Sequence, residues 1–207
     1  MKKVILPVLM CFSLALFAQP MTTRLTKNSI PRNISYTGNI VNAIRWTDNS
    51  GDNIVITTET GITEHKNNYG EGLRSAALDA WHYLLKNGSW KQTWKLHDFI
   101  LDCGEDLEAA YVKNTFAITD LDGDGNAEVW LMYRTVCHGD ISPSTQKIIM
   151  YQADSKYAVR GTTRVKVSDT EYIGGDHTFD GPFKKTLQVF RDYANKLWKK
   201  NMNQRWN

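Results

Sequence analysis

The stretch Asp120 to Glu128, D-L-D-G-D-G-N-A-E, limits what this chain can fold into more than any other. Carboxylates fall at loop positions one, three, five and nine, the spacing by which a short loop wraps hard oxygen ligands around one calcium ion. Asp120, Asp122, Asp124 and Glu128 are expected to bind through side chains and Asn126 through its backbone carbonyl. Gly123 and Gly125 permit the positive-φ turns that fold such a loop back on itself. Strand-like runs flank it, Thr115–Ile118 before and Val129–Tyr133 after. An EF-hand would need a bidentate acid at the twelfth loop position and a helix on each side. That position is Leu131, inside the apolar run V-W-L-M-Y, so the EF-hand is excluded.

With its acid at position nine and strands on either side, the loop resembles the D-x-D-x-D-G-x-x-[DE] calcium hairpins of integrin-type and FG-GAP repeats. The plainest role for the ion is to staple the hairpin, since crowded carboxylates repel one another until a cation neutralises them. A propeller would repeat the motif blade after blade, and the sequence holds one copy.

Residues 1–18 read as a secretory signal peptide: Lys2 and Lys3 form the charged start, Val4–Phe17 the apolar core, and Leu16-Phe17-Ala18 a cleavage site before Gln19. No later stretch approaches the roughly 20 apolar residues of a spanning helix. The expected location is therefore the periplasm, the cell surface or the medium. Loss of the two signal lysines takes the formal charge from +3 to about +1, which favours neither nucleic acid nor membrane as a partner. Cys103 and Cys137 are then the remaining cysteines, an even number suited to an oxidising compartment. A disulfide between them would enclose the whole Asp120–Glu128 hairpin; two inert buried thiols are the rival reading.

Residues 19–35, polar and carrying Pro31, read as a linker, and residues 36–207 as one calcium-binding β-rich domain. Ile40–Trp46 and Asn53–Thr58 are β-branched runs joined by a turn, Gly61–Gly72 a loop, and Glu105–Val112 one turn of helix. Residues 73–86 carry two patterns: helical spacing of Leu73, Ala76, Ala77, Ala80, Trp81 and Leu84, or a hairpin turning at Asn87-Gly88. The hairpin is favoured, with Leu85 opposite Trp90, Tyr83 opposite Gln92 and Trp81 opposite Trp94 on one face. Those aromatics suit either core packing or a sugar-stacking platform, core packing being the plainer use. Lys147–Gln152 and Tyr157–Val167 are further strand candidates, with a turn at Asp154-Ser155-Lys156. Beyond them, Phe183, Leu187, Phe190, Ala194, Leu197 and Trp198 recur at three and four, an apolar stripe that would cover a sheet face. The fold class is thus mainly β (α+β), an antiparallel sheet domain with a C-terminal amphipathic helix packed on it.

No spacing diagnostic of catalysis occurs. Asp98, Asp140, Asp176 and His177 are the residues an enzyme acting on glycans would draw on, and Asp176, His177 and Asp180 cluster locally, as a second metal site or simply as a turn rich in Asp and Gly. Cys103 and Cys137 lack a setting that would lower a thiol pKa.

The runs T-D-L-D-G-D-G-N-A-E, Y-R-T-V-C-H-G-D-I-S-P, K-I-I-M-Y and K-Y-A-V-R-G resemble a family of small exported bacterial proteins labelled as surface polysaccharide biosynthesis proteins. The similarity extends from about Leu78 through W-K-L-H-D-F and G-G-D to the terminal helix with Trp198, and departs at His138, where the family blocks have arginine. The resemblance implies a role in lipopolysaccharide or capsule display, with polysaccharide or an envelope protein as partner, and supplies no catalytic residues. It also implies strand at Leu78–Leu85. The expected protein is a non-catalytic, calcium-binding envelope component, with a glycan-active enzyme or a protein-interaction module as the alternatives.

Overall fold

The computed structural model describes residues 19–204, so the expected signal peptide lies outside the described residues. Two six-stranded antiparallel sheets face each other. The first comprises β1 (Thr22–Arg24), β2 (Asn39–Asp48), β3 (Gly51–Glu59), β4 (Thr63–Lys66), β5 (Gly72–Lys86) and β6 (Ser89–Cys103). Along one edge β5 takes β3 and then β4, and along the other it takes β6. The second sheet comprises β7 (Leu107–Tyr111), β8 (Ala117–Thr119), β9 (Glu128–Cys137), β10 (Thr145–Gln152) and β11 (Ser155–Thr162). A separate ribbon, β12 (Arg164–Lys166) with β13 (Tyr172–Gly174), precedes β14 (His177–Phe179), which returns to β11 as the last strand of the second sheet.

The apolar run after the metal loop explains why a second layer is needed. Successive β9 side chains point to opposite faces. Val129, Leu131 and Tyr133 enter the core between the sheets, while Trp130 and Met132 enter a core on the other side. A strand buried on both faces reads as a continuous apolar run, and one sheet cannot cover both. The outer face is closed by α1 (Gly181–Lys184) and α2 (Gln188–Asn201), which bury Phe183, Phe190, Ala194 and Trp198 against Trp130, Ile148 and Met150. Burial of a side chain the size of Phe183 or Phe190 contributes about 1.5–3 kcal/mol. Asp180 caps α1 by accepting from the Phe183 amide at 2.8 Å, with Pro182 in the first turn. Among the described residues no helix is long and apolar enough to cross a membrane.

Several expectations are corrected. Residues 19–35 are not a linker: β1 pairs with β2, and Ile30 and Ile34 are buried with Ile54, Ile56 and Trp81 against the outer face of the first sheet. The Gly61–Gly72 stretch contains β4. Glu105–Val112 forms β7 rather than a helical turn, because Leu107 and Ala109 alternate inward around an exposed Glu108. The terminal apolar stripe is broken between the two helices, leaving Leu187 exposed at the start of α2. The β10–β11 turn is Ala153-Asp154, with Ser155 and Lys156 already in strand.

The long hairpin of β5 and β6 is strand throughout, turning at Asn87-Gly88, with Leu85 opposite Trp90 and Tyr83 opposite Gln92. Trp81, however, does not face Trp94. A bulge at Thr93 shifts the register, so that Trp94 pairs with His82 and Trp81 with Lys95. One extra residue sends every later side chain to the other face. Trp94 and Leu96 thereby enter the core between the sheets, while Trp81 and Tyr83 pack on the outer side.

Candidate metal centre

The loop between β8 and β9 brings Asp120, Asp122 and Asp124 together, with one carboxylate oxygen from each lying within 4.8 Å of the others. Its path follows from local chemistry. The carboxylates accept from backbone amides two to five residues on: Asp122 Oδ1 from Asp124 N at 3.3 Å, Asp124 Oδ1 from Asn126 N at 2.7 Å, and Asp120 Oδ2 from Gly125 N at 3.2 Å. Gly123 and Gly125 take φ of 71° and 79°. A Cβ at Gly125 would also collide with the side-chain amide of Asn49, so glycine is required there twice over.

The loop is clamped by a turn some 75 residues earlier in the chain. Asn49, between β2 and β3, donates from its backbone to Gly125 O at 2.8 Å and from Nδ2 to Asp124 O at 2.9 Å. Ser50 Oγ donates to Asn126 Oδ1 at 3.1 Å. Asp48 joins the two segments: Oδ2 accepts from Ala127 N and Trp46 Nε1, and Oδ1 from Ser50 N and Asn53 Nδ2. From the second sheet, Gln152 Nε2 donates to Asp122 Oδ2 at 3.1 Å. The sequence marks Thr47–Asp52 as a hairpin turn and gives it no part in the site, because a contact across so many residues leaves no local pattern.

Glu128 is fully buried and stands outside the aspartate trio. Its Oε2 accepts from Thr119 Oγ1 at 2.8 Å and from Leu121 N at 3.0 Å. Burial pushes its carboxyl up to about 7 against the lowering effect of those two bonds, and Asp122 and Asp120 raise it further. Two oxygens here have no hydrogen-bond partner: Glu128 Oε1 and Asp120 Oδ1. Buried carboxylate oxygens are costly to leave unpaired, and an oxygen-binding cation would satisfy them. The trio could therefore hold a metal ion, with Asp120 as its buried member.

At the opposite end of β9 from the loop, Cys137 forms a disulfide with Cys103 at the end of β6, which ties the two sheets together with Cα atoms 5.8 Å apart. The remaining candidates do not converge. Asp98 pairs with Lys147 Nζ at 2.5 Å. Asp140 lies 3.3 Å from His138 and accepts from Ser142 N. His177 meets Asn195 Oδ1 at 2.8 Å, and Asp180 is spent on the α1 cap and on Ala158 N. Trp81, Tyr83 and Trp94 are buried, as core packing requires. Trp90 is half-buried beneath Arg45, whose guanidinium lies 5.7 Å from the ring centre. No protein-family model, curated protein or solved structure matches the chain.

Proposed function

We propose that this chain is an exported, calcium-stabilised binding module of the cell envelope that engages surface polysaccharide and carries out no reaction of its own. The observation that supports the metal is the pair of buried, unpartnered oxygens, Asp120 Oδ1 and Glu128 Oε1, at a loop that already gathers three carboxylates. Carboxylates with short spacings and no nitrogen or sulfur donor are the chemistry of calcium rather than zinc. The ion would be held by Asp120, Asp122 and Asp124, with Glu128 and the Asn126 carbonyl completing the shell, and it would neutralise charge the fold otherwise crowds together. Export is supported by the charged and apolar start of the chain and by a disulfide, which belongs to oxidising compartments. Polysaccharide as the partner rests on the resemblance of the sequence blocks. A binding role is favoured over catalysis because Asp98, Asp140 and His177 are each engaged by a different neighbour.

The test is retention of the mature chain, Gln19–Asn207, on the purified surface polysaccharide of its host, in calcium and in chelator, with a melting curve for each state. Retention in calcium supports the reading. Absence of retention, with calcium raising the melting temperature, would remove the polysaccharide and leave a calcium-stapled module.

A further inference from the structure

Beside the metal loop, the end of the sandwich encloses a cavity of about 340 Å³. Four separate parts of the chain build it: the β2–β3 turn, the end of the β5–β6 hairpin, the β10–β11 turn, and Asn126 and Ala127 of the metal loop. Its wall is a run of stacked rings crossing both sheets. Trp46 and His82 have centroids 5.4 Å apart, His82 and Trp94 5.2 Å, and Trp94 and Tyr151 3.8 Å at an interplanar angle of 4°. The bulge at Thr93 creates this wall by turning Trp94 inward, and Thr93 Oγ1 also meets His82 Nδ1 at 2.6 Å. Asn53 Oδ1 meets the other ring nitrogen at 3.1 Å, so the polar groups deep in the cavity are committed to one another.

The mouth differs. Lys86 and Asp154 line it, both exposed, and neither side chain makes a hydrogen bond or ion pair among the described residues. One ammonium and one carboxylate thus lack a hydrogen-bond or ion-pair partner at a mouth beside the edges of the buried, mutually stacked rings. Hydroxyl groups donate to a carboxylate and accept from an ammonium while carrying no charge. A ring bearing several hydroxyls matches this pair of groups, and the volume lies at the low end of the range for small-ligand sites, about 300–1,000 Å³. That leaves room for one ring and not for a folded chain.

We infer that this cavity binds a single neutral sugar ring, held at the mouth by Lys86 and Asp154 and walled on one side by the metal loop. The inference rests on the polysaccharide reading above and names the subsite that would carry it.

The experiment uses mono- and disaccharides released by mild acid from the host polysaccharide and separated into neutral and anionic fractions. Each is titrated into the calcium-loaded mature protein while tryptophan fluorescence is followed, since Trp46 and Trp94 line the cavity. Lys86→Ala and Asp154→Asn are titrated alongside, with melting curves, and all three proteins are tested for retention on the intact polysaccharide. The neutral fraction should perturb the fluorescence of the wild type. Each variant should shift that titration by about tenfold or more with an unchanged melting temperature, as expected for a lost hydrogen bond to a charged group. Wild type and variants retained equally on polysaccharide would overturn the subsite while leaving the polysaccharide reading intact. A response to the anionic fraction alone would overturn the neutral ring. A wild type that neither binds the polysaccharide nor responds to either fraction would overturn both readings.

Discussion

His82 makes the fold sensitive to acid in a way that can be calculated. Its ring is buried between Trp46 and Trp94, and burial pushes its pKa down from 6.5 to about 4, with Asp48 and Asp154 opposing the shift. In the unfolded chain the same residue titrates at its ordinary value. Between pH 6.5 and 4 the unfolded state therefore binds the extra proton, so stability rises with pH across that window and is lost as the pH falls through it. The gap corresponds to about 3 kcal/mol lost between pH 7 and pH 4, at roughly 1.4 kcal/mol per pH unit. For a domain of this size that is a fall in melting temperature of roughly 6–12 °C. The measurement is urea unfolding from pH 4 to 7.5 in saturating calcium, comparing the wild type with His82→Phe. Phenylalanine keeps a ring in the stack and strands Asn53 and Thr93, an offset that does not change with pH. The stability difference between the two proteins should shrink or reverse as the pH drops. A difference constant to within about 0.5 kcal/mol over the whole range would show that His82 is not held neutral, and the argument would fail.

Three further outcomes are expected. Calcium at about a thousand times its dissociation constant should stabilise the protein by roughly 4 kcal/mol, and Asp120→Ala should abolish that gain in a melting-curve titration. Gly125→Ala should cost more than Gly70→Ala in urea unfolding: both positions have positive φ, worth about 1–2 kcal/mol, but only the Cβ at 125 meets a neighbour, Asn49. Paired Cys103→Ser and Cys137→Ser substitutions should lower stability by about 3–4 kcal/mol on the loop-entropy account, read as a lower urea midpoint than the disulfide-bonded wild type.

The mainly β fold and the helix covering a sheet face were legible because both depend on local periodicity. V-W-L-M-Y marked a strand, and Phe190, Ala194 and Trp198 recur at helical spacing; that the strand is buried on both faces came from the two cores it enters. Misreadings arose where the local signal was weak or shared. Polarity marked residues 19–35 as a linker, although Ile30 and Ile34 suffice to anchor them to the sheet. The bulge at Thr93 was invisible because either register gives an acceptable alternation of side chains. Only packing against the second sheet selects the register that buries both Trp94 and Leu96 between the layers.

The sequence by itself determined that Asp120, Asp122 and Asp124 would sit on one tight loop, because ligand spacing and glycine conformation act over a few residues. It also made Cys103 and Cys137 the natural partners for a disulfide. The tertiary structure decided the rest: that Asp48, Asn49 and Ser50 clamp the loop, that the oxygens of Asp120 and Glu128 are buried without a partner, and that Trp46, His82, Trp94 and Tyr151 wall a cavity beside them. These are contacts between strands far apart in the chain. Their energy appears only when two sheets exclude water from the space between them, which no local stretch of residues encodes.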